Sequence, residues 1–156
     1  MSARFAHLHL HSEYSLVDST IRIPELVAAC VARGLPAVAI TDQNNLFALV
    51  KFHKEAEKAG IKPITGADLL VAEGTAPASR LTLLCRDRAG YLSLSQLLTR
   101  AWMEGPRVDG VVARPAWLAE NAGLFALAGP QSDPGLLLAA GRQDQADQAL
   151  ADLQAR

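Results

Sequence analysis

Histidine and leucine alternate near the start of the chain, as His7, Leu8, His9, Leu10 and His11. A period of two over residues 4–11 predicts a β-strand with two chemically different faces. The three imidazoles would then share one face, about 7 Å apart along the strand, with both leucines packing on the other. The pattern changes at Ser12. Residues 12–20 are polar and turn-prone, and Pro24 then opens a helix, where its missing N–H leaves no bond unmade. Leu26, Val27, Cys30 and Val31 make one apolar stripe along that helix, and Gly34 is placed to end it.

Residues 37–41 are a short continuous apolar run, as expected of a strand covered on both faces in a parallel sheet. Asn44 or Asn45 can cap a second helix over 46–59, with Gly60 as its stop. Leu46, Leu49 and Val50 would face inward on it, while Lys51, Lys54, Glu55, Glu57 and Lys58 stay in water. His53 on this helix reads as a structural residue. A third strand over 61–65 ends at Gly66-Ala67-Asp68, residues 69–72 continue extended, and 73–79 form a loop by composition. A strand over 80–85 precedes a helix over 88–102, with Tyr91, Leu94, Leu97, Leu98 and Ala101 on one side. A loop over 104–110, a short helix over 115–120, a short strand over 124–128 and a helix over 133–141 follow. The polar helix over 142–156 has only Leu150 and Leu153 as large apolar residues, so weak packing is expected.

Strands and helices alternating at this spacing predict an α/β protein built from βαβ units around a parallel sheet or barrel. The 156 residues suit one domain, in which 1–130 form the main part and 131–156 a helical continuation. A net charge of −1 gives no overall electrostatic footprint for nucleic acid or anionic membrane. Cys30 and Cys85 form neither a CxxC pair nor a disulfide framework. The first residues lack a signal-peptide core and no apolar run reaches the roughly 18 residues of a membrane span, so a soluble, cytoplasmic protein is expected.

In such folds functional groups gather beyond the C-terminal ends of the strands. His9 and His11 end the first strand, Asp42 the second, and Asp68 follows the third, with Glu13 and Asp18 on the loop leaving the first. Two imidazoles and several carboxylates converging there suit Zn²⁺, Mn²⁺ or Fe²⁺. Each member also has an ordinary alternative. A single strand histidine is commonly a hydrogen-bonded structural residue, and Asp42 alone would serve as a helix N-cap.

Residues 7–18, 39–42, 45–52, 60–68, 81–94 and 123–129 together resemble the polymerase-and-histidinol-phosphatase (PHP) domain family. The likeness is greatest to the PHP region at the N-terminus of bacterial replicative DNA polymerase alpha subunits. The resemblance implies the first part of a distorted PHP-type (β/α)7 barrel, incomplete in this chain. By motif position it makes His9 and His11 the His-x-His metal ligands, Asp18 the acidic ligand of the next loop, and Asp42 the aspartate of a Thr-Asp-His motif. Asp68 matches an acidic ligand usually filled by Glu. Three residues depart from the pattern: Gln43 and Arg80 stand where many members have His, and Pro130 where they have Cys or His. The family's late Asp-x-His motif has no counterpart here.

The resemblance therefore implies a degraded site holding Zn²⁺ or Mn²⁺ weakly or not at all, with no catalytic or cofactor-binding residue of its own. The parent would be a DNA-directed DNA polymerase, a nucleotidyltransferase of DNA replication, whose Mg²⁺ lies in a polymerase domain outside this chain. This part alone would be an inactive structural and docking module. Its partners would be the proofreading exonuclease subunit and the remaining polymerase domains, with DNA reached through the parent and no membrane. Two other readings stay open: a metal-dependent PHP phosphoesterase or 3′–5′ exonuclease, and a stand-alone binding module without activity.

Overall fold

A computed structural model describes residues 5–16, 18–74, 76–106, 110–120 and 122–155. They form an α/β fold with a mixed sheet, in two compact units, residues 1–67 and 68–156.

The first unit contains α1 (Ile23–Ala32), β1 (Ala37–Ile40), α2 (Leu49–Lys58) and the start of β2 (Lys62–Val71). β1 pairs in parallel with β2, Ala37 opposite Lys62 and Ile40 opposite Thr65. The core is small and mostly aliphatic. Ile23, Leu26, Val27 and Cys30 of α1 meet Val38 and Ile40 of β1 and Phe52 and Ala56 of α2. Pro24 stands in the first turn of α1, and Gly34 takes the left-handed conformation (φ +64°) just past its end.

The sequence pattern misplaces several details here. The His/Leu segment is extended but joins β1 through a single parallel bridge, His7 to Val38, not as a full strand. Ala39 N–H donates to the His7 carbonyl and Thr41 N–H to the Leu10 carbonyl, each at 2.8 Å. The ladder breaks because the Leu10 N–H turns to the Thr41 hydroxyl (3.0 Å) where a strand would offer a carbonyl. Leu10 packs on the core, whereas Leu8 is exposed. Val31 and Val50 also face solvent, so the two helical stripes are narrower than the spacing suggests. α2 starts at Leu49 because Asn45 closes a turn instead of capping it. Its Oδ1 accepts from Phe47 N–H (3.0 Å), and its Nδ2 donates to the Tyr14 and Gln43 carbonyls.

β2 runs unbroken for ten residues, so Asp68 lies inside a strand and not after one. The second unit continues from there with β3 (Ser79–Cys85), α3 (Arg88–Glu104), β4 (Val112–Ala113), a 3₁₀ turn (Pro115–Glu120), β5 (Leu124–Leu127), α4 (Asp133–Ala139) and α5 (Gln143–Gln154). β4 pairs in parallel with β2, a strand of two residues too short to leave a periodic signal. β5 pairs antiparallel to β3, Thr82 opposite Leu127 and Cys85 opposite Leu124, which corrects the expectation of an all-parallel sheet. An apolar run reports burial but carries no sign of strand direction. Asp87 caps α3, accepting from Gly90 N–H at 2.9 Å, and Leu94, Leu97, Leu98 and Ala101 are buried on that helix, while Tyr91 is exposed. Gly90 is required where it stands, because a Cβ there would lie 1.9 Å from the Gly123 carbonyl oxygen. α4 packs beside α5, on which Ala146 is the buried residue among those described. The expected loop over 104–110 falls partly outside the described residues. No helix among them is long and apolar enough to cross a membrane.

Candidate metal centre

In the first unit the extended segment brings His9 and His11 side by side, with ring centroids 5.2 Å apart and planes nearly perpendicular. His9 is exposed and His11 half-buried. The chain then turns through Glu13–Ser15 as a 3₁₀ element and returns Asp18 to His11, where Asp18 Oδ2 and His11 Nδ1 are hydrogen-bonded. A carboxylate on one ring nitrogen is the usual means by which proteins fix the tautomer and orientation of a metal-ligating histidine. Neutral imidazoles suit divalent cations such as Zn²⁺, so this donor set fits one metal ion, with Asp18 orienting His11. His7 is not part of this group; its ring packs edge-on against Phe5, 4.8 Å between centroids.

Asp42 has a different set of partners. It is buried at the end of β1, and three donors reach its carboxylate at 2.7 Å. Ser12 N–H and Ser15 Oγ–H donate to Oδ1, and Ser12 Oγ–H donates to Oδ2. It therefore does not cap α2, and its hydrogen bonds fasten the 12–15 turn to the strand end. Ser12 and Ser15 escaped sequence reasoning because two serines in a polar turn carry no distinguishing pattern. Glu13 is held by Lys51 (3.0 Å), whose ammonium also lies 5.7 Å from the Tyr14 ring centroid. That hydrogen bond raises the Lys51 pKa. Gln43 donates its backbone N–H to Ser15 Oγ (3.1 Å), and its amide side chain is a poor replacement for an imidazole. His53 bonds through Nε2 to Thr65 Oγ1 at 2.9 Å, a structural contact.

In the second unit Asp68 is fully buried in β2 and accepts a hydrogen bond from Thr82 Oγ1 on β3. Arg80 Nη1 stands 3.8 Å from Asp68 Oδ2, so a guanidinium partly balances this carboxylate. Thr82 is a further residue that sequence reasoning missed, being one polar position in an apolar run. Pro130 lies in the exposed turn before α4 and offers no side-chain ligand atom. Cys85 is half-buried, and desolvation, aided by the Asp87 charge, pushes its thiol up to about 11. Burial likewise raises Cys30.

Three comparisons bear on this arrangement. The chain is 54% identical over 169 aligned residues to the DNA polymerase III subunit alpha of Xylella fastidiosa strain Temecula1, covering 98% of this chain and 14% of that protein. It is 44% identical over 154 residues to the subunit of the same name from Pseudomonas aeruginosa, covering 96% of this chain and 13% of that protein. The chain thus spans about a seventh of the length of the curated relatives it matches. Among solved structures, a Bifidobacterium adolescentis protein of proposed metal-dependent phosphoesterase activity superposes with a TM-score of 0.50 at 18% identity, over 64% of this chain and 33% of that one, a likeness of fold alone. The family model described as the PHP domain matches residues 7–155, and the chain belongs to the PHP domain family.

Proposed function

We propose that the chain is the PHP portion of a bacterial replicative DNA polymerase alpha subunit, serving there as a structural and docking module around a degraded metal site. The observation that carries this reading is the 54% identity over 98% of the chain to a DNA polymerase III subunit alpha. His9 and His11 are the nitrogen ligands, and Asp18 holds His11 in place. Asp68 is the acidic ligand by motif position. Gln43, Arg80 and Pro130 withhold the donors that a full cluster needs, leaving at most one weakly held Zn²⁺ or Mn²⁺. Metal-assisted hydrolysis needs ions that both activate water and clamp phosphate, so this part has no hydrolytic activity.

Residues 1–130 and 131–156 belong to one domain, an incomplete (β/α)7 barrel. The parent is a cytoplasmic DNA-directed DNA polymerase. Its partners at this domain are the proofreading exonuclease subunit and the remaining polymerase domains, and it reaches DNA through the latter. Expressing the whole reading frame that encodes the chain tests the proposal. The product should extend a primed template with deoxynucleotides. A complete product without polymerase activity, but with Mn²⁺-dependent phosphatase or 3′–5′ exonuclease turnover, would replace this reading with that of a PHP phosphoesterase. The histidine pair oriented by Asp18 is the feature that keeps that second reading in view.

A further inference from the structure

We propose that Asp42 is a positioning residue for the histidine pair and not one of its ligands. The inference rests on reading His9 and His11 as metal ligands. A carboxylate offers about four lone-pair sites, and here Oδ1 receives two donors and Oδ2 a third, in a side chain only 1% exposed. What these bonds hold is specific. The His11–Ser12 peptide group is gripped at both polar ends. Its N–H, from Ser12, donates to Asp42 Oδ1 at 2.7 Å, and its carbonyl, from His11, accepts from Ser19 Oγ at 2.7 Å. Rotation of that peptide plane would swing the His11 side chain, and both bonds oppose it.

Ser15 completes the fastening. Its hydroxyl donates to Asp42 Oδ1 and accepts from the Gln43 N–H, so the turn is tied to the strand end at two successive residues. Thr41, just before it, takes the Leu10 N–H on the other side of the histidine. The backbone flanking His11 is therefore set by residues 41–43, and the imidazole by Asp18. Metal affinity depends on such supporting groups as well as on ligands, because a preformed geometry spares the ion the work of ordering it.

Cobalt(II) titration followed by visible absorption separates a positioner from a ligand, since band position and intensity report the donor set. Asp42→Asn and Ser19→Ala should each weaken cobalt binding, the first by about 10- to 100-fold, with the spectrum of the bound state unchanged. Ser19 Oγ hydrogen-bonds backbone groups, the His11 carbonyl and the Ile21 N–H, so its variant copies a positioning loss without removing a proposed ligand. Native-state hydrogen exchange supplies a metal-free check. In Asp42→Asn the Ser12 amide should exchange about tenfold faster or more, with Val38 and Ile40 amides unaffected. A changed cobalt spectrum in Asp42→Asn, or an unaltered Ser12 exchange rate, would overturn the positioning role while leaving the ligand reading intact. No cobalt uptake by the unmodified chain would instead remove the ligand reading, and with it the role assigned to Asp42.

Discussion

Asp18 Oδ2 is hydrogen-bonded to His11 Nδ1, across a turn that leaves the aspartate exposed and the histidine half-buried. The bond assigns the Nδ1 proton and so fixes which ring edge His11 presents. Asp18→Ala should weaken Zn²⁺ or Co²⁺ binding by about 10- to 100-fold. Because one partner is substantially exposed, the same change should cost at most about 1 kcal/mol of folding stability. Calorimetric titration and urea unfolding of the one variant read both quantities. Unchanged metal affinity would show that Asp18 does not orient the ring.

Asp68 gives the contrasting case of a carboxylate with no exposure. Thr82→Val keeps the shape of β3 but deprives Asp68 Oδ1 of its hydroxyl donor. A buried acceptor left short of a partner costs about 1–3 kcal/mol, so the urea midpoint should fall with the slope unchanged. A midpoint equal to that of the unmodified chain would mean that other groups satisfy Asp68 without Thr82.

Cys85 should be a poorly reactive thiol. With a pKa of about 11, only about one molecule in a thousand carries the thiolate at pH 8, against about one in ten at the ordinary value of 9.0. The raised value means that the folded state holds this proton more tightly than the unfolded chain. The group's contribution to stability is therefore complete below pH 9 and lost as the pH rises through 11. Alkylation rates measured across pH 8–11 should climb steeply at the top of that range. Rapid modification of native Cys85 at pH 8 would contradict the assigned burial.

The helices and strands were largely legible because their apolar faces repeat at 3.6 or two residues, as Leu94, Leu97, Leu98 and Ala101 do on α3. Direction, register and short pairings were not legible. β5 carries the same kind of apolar run as β1, yet one is antiparallel to its neighbour and the other parallel. At the candidate site the alternation marked His9 and His11, but the choice between ligand and fastening for Asp42 lies in serine hydroxyls at positions 12 and 15. Their contacts form only when residues thirty apart in sequence meet. Asp68 was expected to follow a strand over 61–65, whereas β2 runs through it from Lys62 to Val71.

Among the described strands β5 pairs only with β3, and Phe125 on it is 55% exposed. A free strand edge bearing an apolar side chain invites pairing with another chain. Light scattering over a dilution series should therefore show concentration-dependent self-association, reduced in Phe125→Lys. A monodisperse monomer at every concentration, with a cooperative melt well above about 65 °C, would argue that this edge is protected.

Gln43, Arg80 and Pro130 offer poor metal donors or none, and the proposal that this PHP domain carries a degraded metal site follows from them. Equilibrium Zn²⁺ titration of the purified chain, with bound metal measured by elemental analysis, tests it most directly. At micromolar free Zn²⁺ the chain should hold less than one ion per molecule, and His9→Ala should abolish what binding there is. Two or more ions bound stoichiometrically, and lost together in His9→Ala, would contradict it and restore a complete metal cluster.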